Sequence, residues 1–151
     1  MPMPREYQIA SAEFERLLNA ARDEAGLTTR NQAWTMVQAV FRVFRRRLAP
    51  EDAIRFAQAL PALARALFVA DWEPGEEQIV AFADRETMTR EAQSLRKHHN
   101  FAPDSCIADV AVALRACVDG PAFDRVLARL PAEARDFWAV PPASGGRGKT
   151  L

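Results

Sequence analysis

The arginine cluster Arg42, Arg45, Arg46 and Arg47 is the one concentration of like charge in this chain. Arg42, Arg45 and Arg46 are spaced i, i+3 and i+4, which places them on one face of a helix. A basic stripe of this kind can bind phosphate or an acidic partner. Arginine is also favoured at interfaces, because its planar fork holds a carboxylate through two hydrogen bonds. The sequence therefore predicts a partner contact at Arg42, Arg45 and Arg46.

Trp72 is the second candidate for this contact. It follows the end of an apolar segment and has carboxylates on both sides, so we expect its ring to be only partly covered. The alternative for the arginines is a solvated face, paired with nearby acids such as Glu51 and Asp52. Nucleic-acid binding through the same face is disfavoured, since the neighbouring aromatics follow the helix period and do not form a stacking platform.

The two histidines, His98 and His99, are adjacent in the sequence. Adjacent side chains on a helix diverge by about 100°, and the spacings typical of metal sites are absent around them. We therefore expect no metal. The segment from Arg96 to His99 is interpreted as a set of cations at a helix C-terminus, with Asn100 as the cap.

The remaining chemical candidates are the end of the chain and two cysteines. Residues 145–150 resemble the end of a phosphate-binding loop, but Ala143 stands where that loop needs a glycine. We expect a disordered tail over residues 141–151 that binds no nucleotide. Cys106 and Cys117 lie on one predicted helix, roughly 16 Å apart, too far for a disulfide, and we interpret both as small buried hydrophobes in a reduced compartment.

Composition excludes several function classes. Twenty basic and twenty acidic side chains give a formal net charge of zero, so no global field favours nucleic acid or an anionic membrane. No apolar run approaches the roughly 18 residues of a membrane span, and residues 1–7 lack the apolar stretch of a secretory signal. We expect a cytoplasmic protein without a cofactor. The absence of a convergent acid, base or metal set argues against an enzyme.

The elements that position these residues repeat once along the chain. Leu60-Pro61 recurs 70 residues later as Leu130-Pro131, and apolar residues fall on apolar residues in both directions from this junction. Two copies are too few for a solenoid, so we expect both halves to pack into one compact core. The aligned apolar pairs are Val37 with Ile107, Val40 with Val110, Phe44 with Leu114, Leu48 with Val118, and Phe56 with Val126.

Helical spacing, caps and prolines predict one all-α domain over residues 1–140, a compact bundle of about eight helices. Its pseudo-repeated halves are expected to span about residues 10–73 and 76–139. The expected helices run from Ser11 to Ala25, from Thr29 to Leu48, from Pro50, from Pro61 to Ala70, from Glu76 to Arg96, from Pro103, after Asp119-Gly120-Pro121, and from Pro131 to Trp138.

Three stretches, residues 34–41, 60–72 and 123–131, give the chain a family resemblance. Together with the duplicated Leu-Pro junction, they resemble a bacterial family of uncharacterised proteins, domain-of-unknown-function family 2267, over roughly residues 3–138. The resemblance implies an all-helical cytoplasmic bacterial protein and brings no catalytic residues with it.

Three functions follow as hypotheses from these patterns. The leading hypothesis is a non-enzymatic interaction or regulatory module that binds another protein or a second copy of itself. The alternative is a binder of a small ligand or cofactor, with a site between the two halves near Trp72 or the histidine pair. The last is a weak nucleic-acid binder that uses the arginine face.

Overall fold

Helices form all of the regular secondary structure in residues 3–140, the part of the chain that the computed structural model describes. The predicted tail, residues 141–151, lies outside the described residues. The helices are α1 (Arg5–Gln8), α2 (Ala10–Ala25), α3 (Arg30–Arg45), α4 (Pro50–Ala57), α5 (Ala62–Val69), α6 (Arg85–Ser94), α7 (Cys106–Arg115), α8 (Gly120–Leu127) and α9 (Ala132–Trp138). The all-α prediction is confirmed. These nine helices of residues 3–140 include α1, which is too short to show periodicity.

Several helix ends lie where the local sequence predicts them. Thr29 and Gln32 form the predicted capping box at the start of α3, each side chain accepting a hydrogen bond from the other's backbone N–H. Gly26 ends α2 with a φ of 69°, a left-handed conformation that glycine adopts without strain. Pro50 opens α4, where its missing N–H is not needed.

The predicted helix from Glu76 to Arg96 is wrong in its first half, because α6 begins only at Arg85. The Asp84 side chain caps α6 by accepting a hydrogen bond from the backbone N–H of Thr87. Before this cap the chain has no regular structure. The backbone N–H of Val80 instead donates to the carbonyl of Arg46, so the segment is held against the end of α3.

Two predicted helix starts are also displaced. Ser11 is not a cap, because α1 passes into α2 through Ile9 alone, and the Ile9 carbonyl already accepts from Glu13. Pro103 opens a turn rather than a helix, and α7 begins at Cys106. Cys117 therefore lies just beyond the end of α7 and not within the helix.

The core is built around aromatic rings from both halves of the chain. Trp138, which is fully buried, lies with its ring 5.3 Å from that of Phe44, 5.5 Å from that of Phe56 and 5.1 Å from that of Phe137. The predicted apolar stripe of α3 is confirmed as core, since all its members are buried: Met36, Val37, Val40, Phe41, Phe44 and Leu48. The second stripe is buried from Ile107 to Leu114 but only half-buried at Cys117 and Val118.

The helix boundaries recur at the same spacing of 70 residues as the sequence pattern. Helix α3 ends at Arg45 and α7 at Arg115, while α4 and α8 correspond at both ends. Pro61 and Pro131 each precede the first residue of the following helix, α5 or α9. The two Leu-Pro junctions thus lie in like elements. That residues 29–72 and 99–138 superpose in three dimensions stays a prediction.

Candidate functional site

A surface groove of about 530 Å³ lies at the C-terminal end of α3. We call it the arginine groove. It brings together the three arginines that the sequence predicts at a partner contact, two acids from the segment between α5 and α6, and the residue that follows α6. Its lining includes Arg42, Arg45, Arg46, Asp71, Glu77 and Leu95.

Arg42 and Arg46 form the exposed part of the arginine groove. The Arg42 side chain is 31% exposed and lies 3.4 Å from the carboxylate of Asp71. The Arg46 side chain is 44% exposed and pairs with Glu91 on α6. Ion pairs at such exposure contribute about 0–1 kcal/mol, because water screens them. A carboxylate from a partner can therefore replace Asp71 at little cost, whereas Glu91 is only 20% exposed and also binds the buried Arg47.

Arg45 is buried, contrary to the alternative of a solvated arginine face, with only 4% of its side chain exposed. Its Nη1 donates to the carbonyls of Phe68 at 3.0 Å and Ala70 at 2.9 Å. These carbonyls stand at the end of α5, where no further helical N–H is available, so the guanidinium satisfies them. Burial lowers the pKa of Arg45, and the carboxylate of Glu77 opposes that shift.

The alternative suggested by the sequence, in which the arginine cluster pairs with Glu51 and Asp52, is not found within residues 3–140. Pro50 starts a new helix, and Asp52 instead pairs with Arg55 one turn later, at 2.7 Å. The acids that meet the cluster come from beyond position 70. Glu91, for example, also binds the buried Arg47 at 2.8 Å.

Trp72 is half-buried beside the arginine groove, as expected. The guanidinium of Arg45 lies 5.3 Å from the centre of its ring, a cation–π contact that fixes the orientation of the indole. A small depression of about 10 Å³ adjoins the groove here and shares Arg45 and Arg46 with it. Its apolar lining is formed by Leu48, Pro50, Trp72, Pro74 and Ile79.

Arg45 retains one unsatisfied donor. Its Nε is buried and has no hydrogen-bond partner within residues 3–140. Arg47 Nε and Trp138 Nε1 are likewise buried without a partner in this part of the chain, so the atom is a feature of the core and not a contact for a ligand. The arrangement as a whole supplies cations and an aromatic ring, but no nucleophile beside a base. Its chemistry is recognition of an acceptor or carboxylate.

Arg45 has a counterpart in the second half, which the sequence could have shown. Arg115, 70 residues later, donates from Nε to the carbonyl of Trp138 at 2.8 Å, just as Arg45 donates to Phe68. The positions equivalent to Arg42 and Arg46 are Val112 and Ala116. The arginine that recurs therefore holds the end of a helix, while the two that do not recur are the exposed ones.

The other predicted candidates lie apart from the arginine groove. His98 and His99 are exposed in the loop after α6, which ends at Ser94 and so before the predicted cap Asn100. The Asn100 side chain nevertheless donates to the carbonyls of Ala92 and Leu95 at the helix end. Among residues 3–140 there is no cluster of three histidine, cysteine or acidic side chains that could hold a metal.

The cysteines differ in their surroundings. Cys106 is fully buried, as expected, and burial raises the pKa of its thiol to about 11. Cys117 is half-buried, and desolvation raises the pKa of its thiol as well. Since the thiolate is the reactive form, both environments disfavour nucleophilic chemistry at neutral pH.

A second groove, of about 430 Å³, lies between residues of the two halves. The sequence did not predict it, because it is formed by turns that follow α4 and α7, where no residue pattern shows that they meet. We call it the inter-half groove, and its lining includes Ile9, Leu60, Pro61, Arg65, Cys117 and Val118.

Comparison with known proteins gives one family. The family model described as "Uncharacterized conserved protein (DUF2267)" matches residues 14–137. No match to the chain was found among curated proteins. Across residues 3–140, no helix has the length and apolar character needed to cross a membrane.

Proposed function

The chain belongs to the DUF2267 family of uncharacterised conserved proteins, and from its own geometry we propose that it is a non-enzymatic interaction module. Arg42, Arg46 and Trp72 contact the partner at the arginine groove. The observation that carries this proposal is the exposed Arg42–Asp71 ion pair with Arg46 beside it, next to a partly covered tryptophan in the adjoining depression. Arginine and tryptophan are enriched among the residues that dominate binding energy at interfaces.

Arg45 supports this contact from beneath. It is tied to the end of α5 and packs against the ring of Trp72, so the aromatic anchor is held in place before a partner arrives. Ordering a side chain in advance lowers the entropy cost of association. Arg45 is therefore a positioning residue, and the predicted contact reduces to its two exposed neighbours and the tryptophan.

The charges around the groove favour a protein partner over nucleic acid. Asp71, Glu77 and Glu91 stand among the arginines and neutralise most of their field. These carboxylates would repel a phosphate backbone, whereas a protein surface can present both positive and negative charges that complement the groove. The partner is a second copy of the chain or a different protein of the reduced cytoplasmic compartment that its free cysteines suit.

The test is the double variant Arg42→Gln/Trp72→Ser, with Arg125→Gln/Arg129→Gln as the control that removes exposed arginines on another surface. The variant leaves Arg46 in place and uses neutral replacements. Charge reversal at position 46 would place a carboxylate opposite Glu91 and disturb the ion pair that Glu91 forms with the buried Arg47. The groove variant should stay folded, although the loss of the half-buried Trp72 lowers its melting temperature, and it should change its oligomeric state or lose its co-purifying partner. Retention of every partner and of the oligomeric state by the groove variant would refute the proposal.

A second candidate function, binding of a small ligand, has the inter-half groove in its favour. Leu60, Pro61 and Val118 give that groove an apolar lining, and the cation Arg65 also lines it while donating to the carbonyls of Ala57 and Leu60. Ligand sites are commonly concave, mostly apolar and equipped with a few polar groups. A compound library should then contain a molecule that raises the melting temperature of the wild type but not that of Val118→Trp, whose larger ring would fill the groove.

A further inference from the structure

The loop between α6 and α7 presents four basic side chains in succession. Arg96, Lys97, His98 and His99 are all exposed, and Phe101 follows with 60% of its surface exposed. We call residues 96–101 the basic loop. It is distinct from the arginine groove, whose cations are paired.

The basic loop is held at its base by hydrogen bonds. The Asn100 side chain donates to two carbonyls at the end of α6 and accepts from the backbone N–H of Ala102 at 3.0 Å. Gln93 on α6 donates to the carbonyl of Ala102, also at 3.0 Å. These bonds join both ends of the loop to α6. The cations at its tip are therefore presented from an ordered frame.

Arg96 occupies an unusual backbone conformation at the start of the loop. Its φ is 51°, in the left-handed region that side chains other than glycine rarely adopt. Its guanidinium lies 5.4 Å from the centre of the Trp34 ring on α3, which stabilises this placement. Backbone strain of this kind tends to occur where a segment has a binding role.

The charge of the basic loop is uncompensated within residues 3–140. None of its four basic side chains forms an ion pair with a described acid. The acids that flank the loop in sequence are engaged elsewhere: Glu91 binds Arg46 and Arg47, and Asp104 binds Arg90 at 2.7 Å. The positive charge of the loop is therefore available to a partner.

We propose that the basic loop binds an acidic segment of a partner protein, with an apolar residue of that segment packed on Phe101. The proposal rests on the proposed function, since Leu95, at the end of α6, lines the arginine groove and joins it to the loop. Lys97 and Arg96 supply fixed charges for carboxylates, and the two histidines supply donors.

An acidic protein segment suits the loop better than nucleic acid does. Nucleic-acid affinity comes largely from neutralising several phosphates with Lys and Arg, whereas the basic loop has only Arg96 and Lys97 as permanent cations. The chain as a whole also has a net charge of zero. A short segment with a few carboxylates and one apolar side chain matches both the charge and the size of this surface.

The experiment measures the binding of a fluorescein-labelled, glutamate-rich peptide that contains leucine, at about 0.15 M ionic strength. The variants are Arg96→Gln/Lys97→Gln and, because Arg96 also packs on Trp34, Lys97→Gln/Phe101→Ser, in which both residues are exposed. The matched control is again Arg125→Gln/Arg129→Gln. Each loop variant should weaken binding about tenfold or more, as the loss of charged hydrogen bonds implies, while the control binds as the wild type does.

Three results would overturn the inference. The first is an absence of peptide binding by the wild type. Binding that the loop variants keep but Arg42→Gln/Trp72→Ser loses would move the acidic segment to the arginine groove and leave the proposed function standing. Tighter binding of oligothymidylate than of the peptide, lost in the same loop variants, would assign the loop to nucleic acid instead. Loss of peptide binding in the loop variants alone supports the inference, whatever the groove variant does to other partners.

Discussion

Phe44→Ala should lower the free energy of unfolding by about 3–5 kcal/mol, the cost typical of removing a buried aromatic ring. Phe44 is fully buried on α3, and its ring contacts those of Phe56, Phe137 and Trp138 at 4.8, 4.9 and 5.3 Å between centroids. The substitution opens a cavity where the two halves of the chain meet. Urea denaturation measures the effect, which is a large part of the roughly 5–15 kcal/mol that stabilises a domain.

Ile54→Ala is the matched control for this prediction. Ile54 lies on α4, but its side chain is 55% exposed and contributes little to the core. Its replacement should change the free energy of unfolding by no more than about 0.5 kcal/mol. If Phe44→Ala and Ile54→Ala had equal effects, the aromatic cluster would not be the core that joins the halves.

Arg45→Ala should lower the free energy of unfolding by about 2–4 kcal/mol, because it leaves buried carbonyls without a donor and removes the packing of the side-chain stem. The carbonyls are those of Phe68 and Ala70 at the end of α5. Arg42→Ala on the same helix face breaks only a surface ion pair, and should change the same quantity by about 0–1 kcal/mol. Urea denaturation of both variants gives the comparison.

Arg115→Ala provides an intermediate case. Arg115 binds one carbonyl, that of Trp138, and its side chain is partly exposed. Arg115→Ala should therefore lower the free energy of unfolding by an amount between those expected for Arg42→Ala and Arg45→Ala. If Arg45→Ala lowered the free energy of unfolding no more than Arg42→Ala does, Arg45 would have no structural role. The sequence-based prediction that Arg45 contacts the partner would then stand.

The fold was largely predictable wherever local chemistry determines a helix end. Prolines at 50, 61 and 131, the Thr29 cap and Gly26 each act on neighbouring residues, so their effects are visible in the sequence. The segment before α6 was not predictable in the same way. Val80 there donates to the carbonyl of Arg46, a contact that depends on the folded arrangement and not on spacing.

The site was predictable in its residue types but not in their burial. The spacing of Arg42, Arg45 and Arg46 correctly placed them on one helix face, and the structure brings all three to one groove. Sequence alone could not show that the end of α5 covers Arg45, because the carbonyls that bind it come from more than 20 residues further along. The recurrence of arginine at position 115 was the one available signal, since a residue kept in both copies points to a structural role.

Site-specific photo-crosslinking in cells of the source organism tests the central claim most directly. Gln78 lines the arginine groove, is exposed and carries no charge, so a photoreactive amino acid can replace it without breaking an ion pair of the cluster. Position 54, exposed on α4, is the control. The account predicts a discrete protein adduct from position 78, lost when Arg42→Gln/Trp72→Ser is added, and no such adduct from position 54. No adduct at position 78, or the same adducts from both positions, would contradict it.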